Sequence, residues 1–168
     1  MAFSIYQASI PVFIRQLGHL GAILNKAEIY AASKKIDPSV FLNDRLAPDM
    51  FPLTRQVQIA SDAAKGAGAR LAGLEVPSFS DTETTFADLQ ARITKTIDFL
   101  KSIDPAKLEG SEDRIVNVKL RGNELALTGQ AYLLHISIPN FYFHITTTYD
   151  ILRHNGVDLG KADYLGNP

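Results

Sequence analysis

Asn140 and His144 lie four residues apart in the stretch "IPNFYFHITTTYDILRHNG", positions 138–156. On a helix that spacing puts them on one face, a turn apart. Two histidines so placed would be half of a metal site. Here the first is an asparagine, and an amide is a poor ligand for zinc. Three chemistries fit the pair. It could be a hydrogen-bonded couple lining a pocket. It could be a degenerate metal site with His144 as the one good ligand for a divalent ion such as zinc or nickel. Or it could be polarity within the core. The metal reading needs at least three protein ligands, the others coming from Gln56, Asp49, Asp62 or His19.

Other chemistry is scarce. The chain has 168 residues, four histidines and no cysteine, so thiolate nucleophiles, disulfides and cysteine-held metals are excluded. His19 falls one position off an apolar seam. His135 is placed for an interface or solvent. His154 sits in a last helical turn, where an imidazolium is favoured by the helix dipole. There is no Gly-rich nucleotide loop and no nucleophile elbow. The net charge of −1 is dispersed, which gives no nucleic-acid footprint. No apolar run approaches the roughly 20 residues of a membrane span. The N-terminus lacks a basic region and a cleavage signal. The expectation is a cytoplasmic protein with neither nucleic acid nor membrane as partner.

Four helices must position these residues. In the first, Ile10, Phe13, Leu17, Leu20, Leu24 and Ala27 form a 3-4-3-4-3 seam that runs toward "AASKK", with Pro11 near its start. "IDPSVFLNDRLAPDMFP" then reads as a structured connection rather than a helix. The second helix opens at Pro52 and stops at Gly73. Its seam of Leu53, Val57, Ala60, Ala64, Ala67 and Leu71, with Gly66 and Gly68 nearby, invites a close neighbour. Thr85 and Asp88 signal the start of the third, with Phe86, Leu89, Ile93, Ile97, Leu100 and Ile103 inward and Pro105 closing it. "RIVNVKLRGNELALTG" alternates as a β-hairpin before the fourth, which Thr128 caps. Tyr164 and Leu165 of the Gly-rich tail are expected to dock on the bundle.

The fourth helix is the informative one. Leu134, Ile138, Phe141, Ile145, Thr148 and Leu152 make one stripe. Leu133, Ser137, Asn140, His144, Thr147 and Ile151 make the next, polar only in its middle. Such a helix is central, or lies in a subunit interface, and its polar groups are sheltered and need partners. Gln56, beside the second helix's seam, is the first candidate partner and Gln58 the second. Gln58 and Asp62 share a line with Arg55 and Lys65 that reads as solvated. Pro139 removes one N–H and displaces the His135 carbonyl, so the helix kinks or restarts there. The expected pocket is lined by Gln56, Asn140, His144 and Thr147, with Phe141 and its neighbours Tyr142 and Phe143.

The blocks "SIYQASIPVFIRQLGHLGAILNKAE", "LAPDMFPLTRQVQIASDAAKGAGARLAG" and "YLLHISIPNFYFHITTTYDILRHNG" resemble those of an uncharacterised bacterial domain family, a branch of the DinB/YfiT-like putative metalloenzymes. The resemblance implies one all-α domain over positions 1–168, a DinB-like four-helix bundle with a small β-hairpin inserted between helices three and four, and a homodimer. It further implies a three-histidine metal site, one ligand from helix two and two from helix four. Ile151, Leu152, Arg153 and Gly156 match the end of the family's helix four. His144 then falls on the second metal histidine, Asn140 on the first, and the helix-two ligand near Gln56 or Gln58. With amides at two of three positions, the function expected is small-molecule binding without a tightly bound metal. The alternatives are a metal-dependent thiol transferase or hydrolase anchored at His144, and a dimeric interaction protein with a structural polar core.

Overall fold

The N-terminal segment folds as a single turn followed by the long seam helix in the computed structural model of the chain, which describes residues 4–120 and 122–166. Ser4 caps a single turn, α1 (Ile5–Ala8), through a reciprocal box with Gln7. After Ser9 the chain enters α2 (Ile10–Lys34), with Pro11 in its first turn. The proline-rich connection holds one short helix, α3 (Pro38–Asn43), where the sequence reading expects none. Asp37 accepts from the Ser39 N–H at 2.9 Å and Pro38 fills the first turn, a start signal strong enough for a turn and a half.

The other bundle helices are α4 (Leu53–Leu71), α5 (Phe86–Lys101) and α7 (Ile138–His154). Thr85 and Asp88 form the box that opens α5. Helix α5 stops at Lys101, and Pro105 begins a 3-10 turn, Pro105–Leu108, rather than closing the helix. Helix α4 packs chiefly along α7 and α5, and α2 along α5. The seams supply the core: Phe13, Leu17, Leu20, Val57, Ala60, Leu89, Phe141 and Ile145 are fully buried. Phe13 meets Phe141 edge-on, with centroids 4.9 Å apart. Gly68 lets α4 approach its neighbours: a Cβ there would lie 2.7 Å from Leu100 Cδ2 and 2.9 Å from Ile103 Cδ1.

Strands β1 (Ile115–Leu120) and β2 (Asn123–Thr128) form an antiparallel hairpin between α5 and the last helical run. One face carries Val116, Leu127, Val118, Leu125 and Leu120, by the register and the strand alternation. Val116 is buried at the root, while Leu120 and Leu125 at the far end are exposed. The run then continues as α6 (Gly129–Tyr132), capped by Thr128, a π turn (Leu133–Ser137) and α7. The π turn resolves the Pro139 conflict. The Ile138 N–H bonds to the Leu133 carbonyl five residues back, so the helix widens by one residue instead of breaking. The tail forms α8 (Lys161–Leu165). Gln16 Nε2 donates to the Tyr164 carbonyl at 3.0 Å, and the Tyr164 and Thr146 hydroxyls are 2.9 Å apart.

The architecture is thus a four-helix bundle with a two-stranded hairpin between its third and fourth long helices. Segment 72–85 departs from expectation by covering the line judged solvated. Gln58 and Lys65 are buried beneath it. Phe79 stacks against the Lys65, Lys95 and Arg92 side chains, with the Lys65 ammonium 3.9 Å from its ring centre.

Candidate functional site

Helices α4 and α7 meet at one polar contact. The Gln56 side chain is 1% exposed, and its Nε2 donates to the Phe51 carbonyl at 2.9 Å. A carbonyl only accepts, so the amide nitrogen is committed there and Oε1 faces the His144 ring. His144 Nδ1 lies 2.7 Å from that oxygen and must carry the proton. The imidazole is therefore held in one tautomer. Its Nε2 is left with a lone pair that makes no hydrogen bond among the described residues.

The ring's surroundings keep it neutral. His144 is 8% exposed, and burial, helped by the nearby Arg55 guanidinium, pushes its pKa down to about 4. Both act against the imidazolium. The Phe143 ring stands perpendicular to it at 5.2 Å. Arg55 itself is bound to Asp81 and, at 3.1 Å, to Gln58 Oε1.

The remaining expected lining residues do not gather round this pair. Thr147 is buried, but its hydroxyl donates back to the Phe143 carbonyl at 2.8 Å. Phe141 is core, packed on Phe13. Asn140, expected to be sheltered beside His144, is exposed. The solvent face of α7 is Asn140, Phe143, Thr146 and Asp150, a 3-3-4 stripe. It is hidden in the sequence because Phe143, an aromatic residue, is 55% exposed. Of the other histidines, His135 and His154 are exposed and His19 is at the boundary.

A transition metal of the kind the fold family implies does not fit this donor set. The Gln56 oxygen is used by His144, Asn140 is exposed where His144 is buried, and His144 Nε2 alone is a good ligand. Among the described residues no three His, Cys, Asp or Glu side chains converge.

Asn140 instead lines a cleft of about 260 Å³ between α4, the π turn and the hairpin. Ile59, Ala63, Ile136, Val118 and Leu120 give it apolar walls. Its polar lining is Asp62, Arg70, Lys119, Tyr132, Ser137 and Asn140. Tyr132 and Ser137 are the buried members. Arg70 Nη1 donates to the Tyr132 hydroxyl at 3.0 Å. Ser137 Oγ is buried and has no hydrogen-bond partner among the described residues. In the sequence Ser137 stands out as a polar member of the last helix's stripe, while Arg70 and Tyr132 carry no comparable signal. Their convergence depends on the π turn and on the hairpin's overhang, which periodicity does not register.

A second polar cluster also lies outside the sequence reading. Arg92 is buried on α5, with Asp62 Oδ1 at 2.9 Å, Asp81 Oδ1 at 3.0 Å and Glu83 Oε1 at 2.9 Å. Burial works to raise the Glu83 pKa, but hydrogen bonds from Arg92 and Gln58 outweigh it and hold it below the usual carboxylate range. The cluster fastens segment 72–85 to α4 and α5, beside Arg55 and so close to His144.

Residues 5–165 match a family profile described as a domain of unknown function, DUF1993. The fold is similar to the crystal structure of a DinB family member protein from Shewanella denitrificans, with a TM-score of 0.92 and 44% identity over 98% of this chain and 93% of that one. No curated protein matches. Bundle, hairpin and profile agree, and the chain belongs to the DUF1993 family, on a DinB-like fold.

Proposed function

We propose that the protein binds a small molecule along the α4–α7 groove, with His144 Nε2 as a hydrogen-bond acceptor and no tightly bound metal. The carrying observation is the relay from the Phe51 carbonyl through Gln56 to His144, which fixes a neutral ring whose Nε2 lone pair is unused among the described residues. Binding fits this better than proton abstraction. A base with a pKa of about 4 is too weak to take a proton efficiently near neutrality, where general bases have pKa values closer to the working pH. The alternative, a metal-dependent thiol transferase or hydrolase anchored at His144, draws on the same lone pair.

Two measurements on protein made without chelator or affinity tag test the proposal. Nitrogen-15 spectra of the His144 ring should show unprotonated Nε2 at neutral pH. That signal should move when panels of small alcohols, amines and carboxylic acids are added. Elemental analysis should find no stoichiometric metal. Bound zinc or nickel that disappears in His144→Ala would overturn the proposal in favour of the metal reading. A ring signal indifferent to every panel member would leave the Gln56–His144 contact a structural one.

A further inference from the structure

We infer that the cleft between the hairpin and α4, which includes Asn140 one turn from His144, binds a small organic carboxylate. Its headgroup would be held by Arg70 and Ser137, and its apolar body would lie under Val118 and Leu120. This rests on reading the α4–α7 groove as a ligand site, and it names the ligand's chemical class.

Charge comes first. Asp62 is the cleft's one acid, and it is already matched by Lys65 Nζ at 2.8 Å and Arg92 Nη2 at 2.9 Å. Arg70 has no carboxylate partner among the described residues; its contacts are the Tyr132 hydroxyl at 3.0 Å and the Tyr132 ring at 5.8 Å. Lys119 borders the cleft from the hairpin, on the strand face opposite Val118 and Leu120 and across from Glu124. The cleft is therefore lined by a neutralised acid and a guanidinium without a carboxylate partner among the described residues, which favours an anion.

The main donor is fixed in place. A Cβ at Gly66 would collide with Arg70 Nη1, so this glycine lets the guanidinium lie against α4. One of its five N–H groups goes to Tyr132, and the fork that remains can hold a carboxylate by two parallel bonds. Ser137 supplies a second donor. A helical serine commonly bonds back to the carbonyl four residues earlier. Here the Leu133 carbonyl takes the Ile138 N–H across the π turn, and Ser137 Oγ does not make that bond: it has no hydrogen-bond partner among the described residues, at 3% residue exposure. A buried hydroxyl in that state calls for a partner, which a carboxylate oxygen seated against the π turn would supply once the Ser137 side chain rotates toward the cleft. π turns recur at such places. The volume of about 260 Å³ falls just under the roughly 300 Å³ at which drug-sized pockets begin. The occupant is therefore small, and the apolar walls call for a hydrocarbon or aryl body.

Hexanoate is the probe, with 1-hexanol and inorganic phosphate as controls, followed by amide NMR on the full chain. The expected result is saturable shifts at Ala63, Arg70, Ser137 and Asn140. Hexanoate should bind at least tenfold more tightly than either control, and Arg70→Gln should weaken it about tenfold. Lys119→Gln, on the exposed hairpin, should weaken it less and guards against a misfolded Arg70 variant. Hexanol binding as well as hexanoate, or an Arg70→Gln variant with unchanged distant amides and undiminished affinity, overturns the inference. Hexanoate that moves the His144 ring but not the cleft amides also overturns it, and leaves the groove reading standing. Cleft shifts that persist in His144→Leu support the carboxylate site even if the ring itself proves idle.

Discussion

His144 Nδ1 stands 2.7 Å from Gln56 Oε1, joining α7 to α4 across 88 positions of sequence. Both side chains are buried, so removing either strands the other. Gln56→Leu and His144→Leu should each cost about 1–3 kcal/mol, the usual cost of an unpaired buried polar group. The double Leu variant should cost clearly less than the two combined. Urea unfolding of the four proteins reads this directly, and strictly additive losses would show that the pair is not coupled.

The same contact predicts a pH dependence. Burial lowers the folded-state pKa of His144 from 6.5 to about 4. Between those values the unfolded chain binds a proton that the folded chain refuses, so acid favours unfolding. Stability is full above about pH 6.5 and falls as pH drops toward 4. The ceiling on that loss is about 3 kcal/mol, from 1.36 kcal/mol per pH unit. Carboxylates such as Glu83, whose folded pKa is also lowered, add their losses below about pH 4.5, the lower edge of this window. Chemical unfolding from pH 7 to 4.5 should show the decline in the wild type and a much flatter profile in His144→Leu. Equal slopes would assign the decline elsewhere.

Arg92 holds three acidic side chains from two elements, Asp62 on α4 and Asp81 and Glu83 in segment 72–85. Arg92→Leu should therefore free that segment as well as destabilise the bundle. Breaking an enclosed ion pair costs about 3–5 kcal/mol. Here Asp62 and Asp81 are 39% exposed and can rehydrate, so about 2–3 kcal/mol is expected. Limited proteolysis should cut the variant within 72–85 well before the wild type. Arg92→Lys should recover little, since an ammonium lacks the planar fork that spans several acceptors. Unchanged cleavage kinetics would show that the Phe79 contacts, with Arg55–Asp81 and Gln58–Glu83, hold the segment without Arg92.

Local signals carried most of this fold. The seams of α2, α4 and α5 are 3.6-residue patterns, the Thr85–Asp88 box is four residues long, and the hairpin's alternation is continuous, so each can be seen without knowing what lies opposite. Gln56 and His144 could be paired because each sits beside a seam on its own helix. What escaped depends on distant covering. Lys65 and Gln58 look solvated until segment 72–85 folds over them. Phe143 looks buried until the bundle leaves its side of α7 uncovered. The π turn is a compromise between Pro139 and a helix already anchored at both ends. It leaves Ser137 Oγ without a hydrogen-bond partner among the described residues, while Asn140, in regular helix with His144, falls on the uncovered side of α7 with Phe143.

Two helical glycines separate backbone entropy from packing. Gly18 on α2 is exposed, and a Cβ there would meet nothing within 4 Å. Gly18→Ala should therefore stabilise by about 0.5–1 kcal/mol, because alanine loses less freedom than glycine in a helix interior. Gly68 on α4 gains the same entropic term from alanine. Its new methyl would, however, press on Leu100 Cδ2 at 2.7 Å, Ile103 Cδ1 at 2.9 Å and Ile10 Cδ1 at 3.1 Å. All three are buried in the core, and each can turn away only by displacing its own neighbours. Overpacking of this kind costs about 1–3 kcal/mol, which exceeds the entropic gain, so Gly68→Ala should lower the melting temperature while Gly18→Ala raises it. Opposite shifts in thermal unfolding are the expected outcome. A Gly68→Ala protein at least as stable as the wild type would mean that α4 and α5 can separate by a few tenths of an ångström without loss, and that the close approach at Gly68 is not required by the bundle.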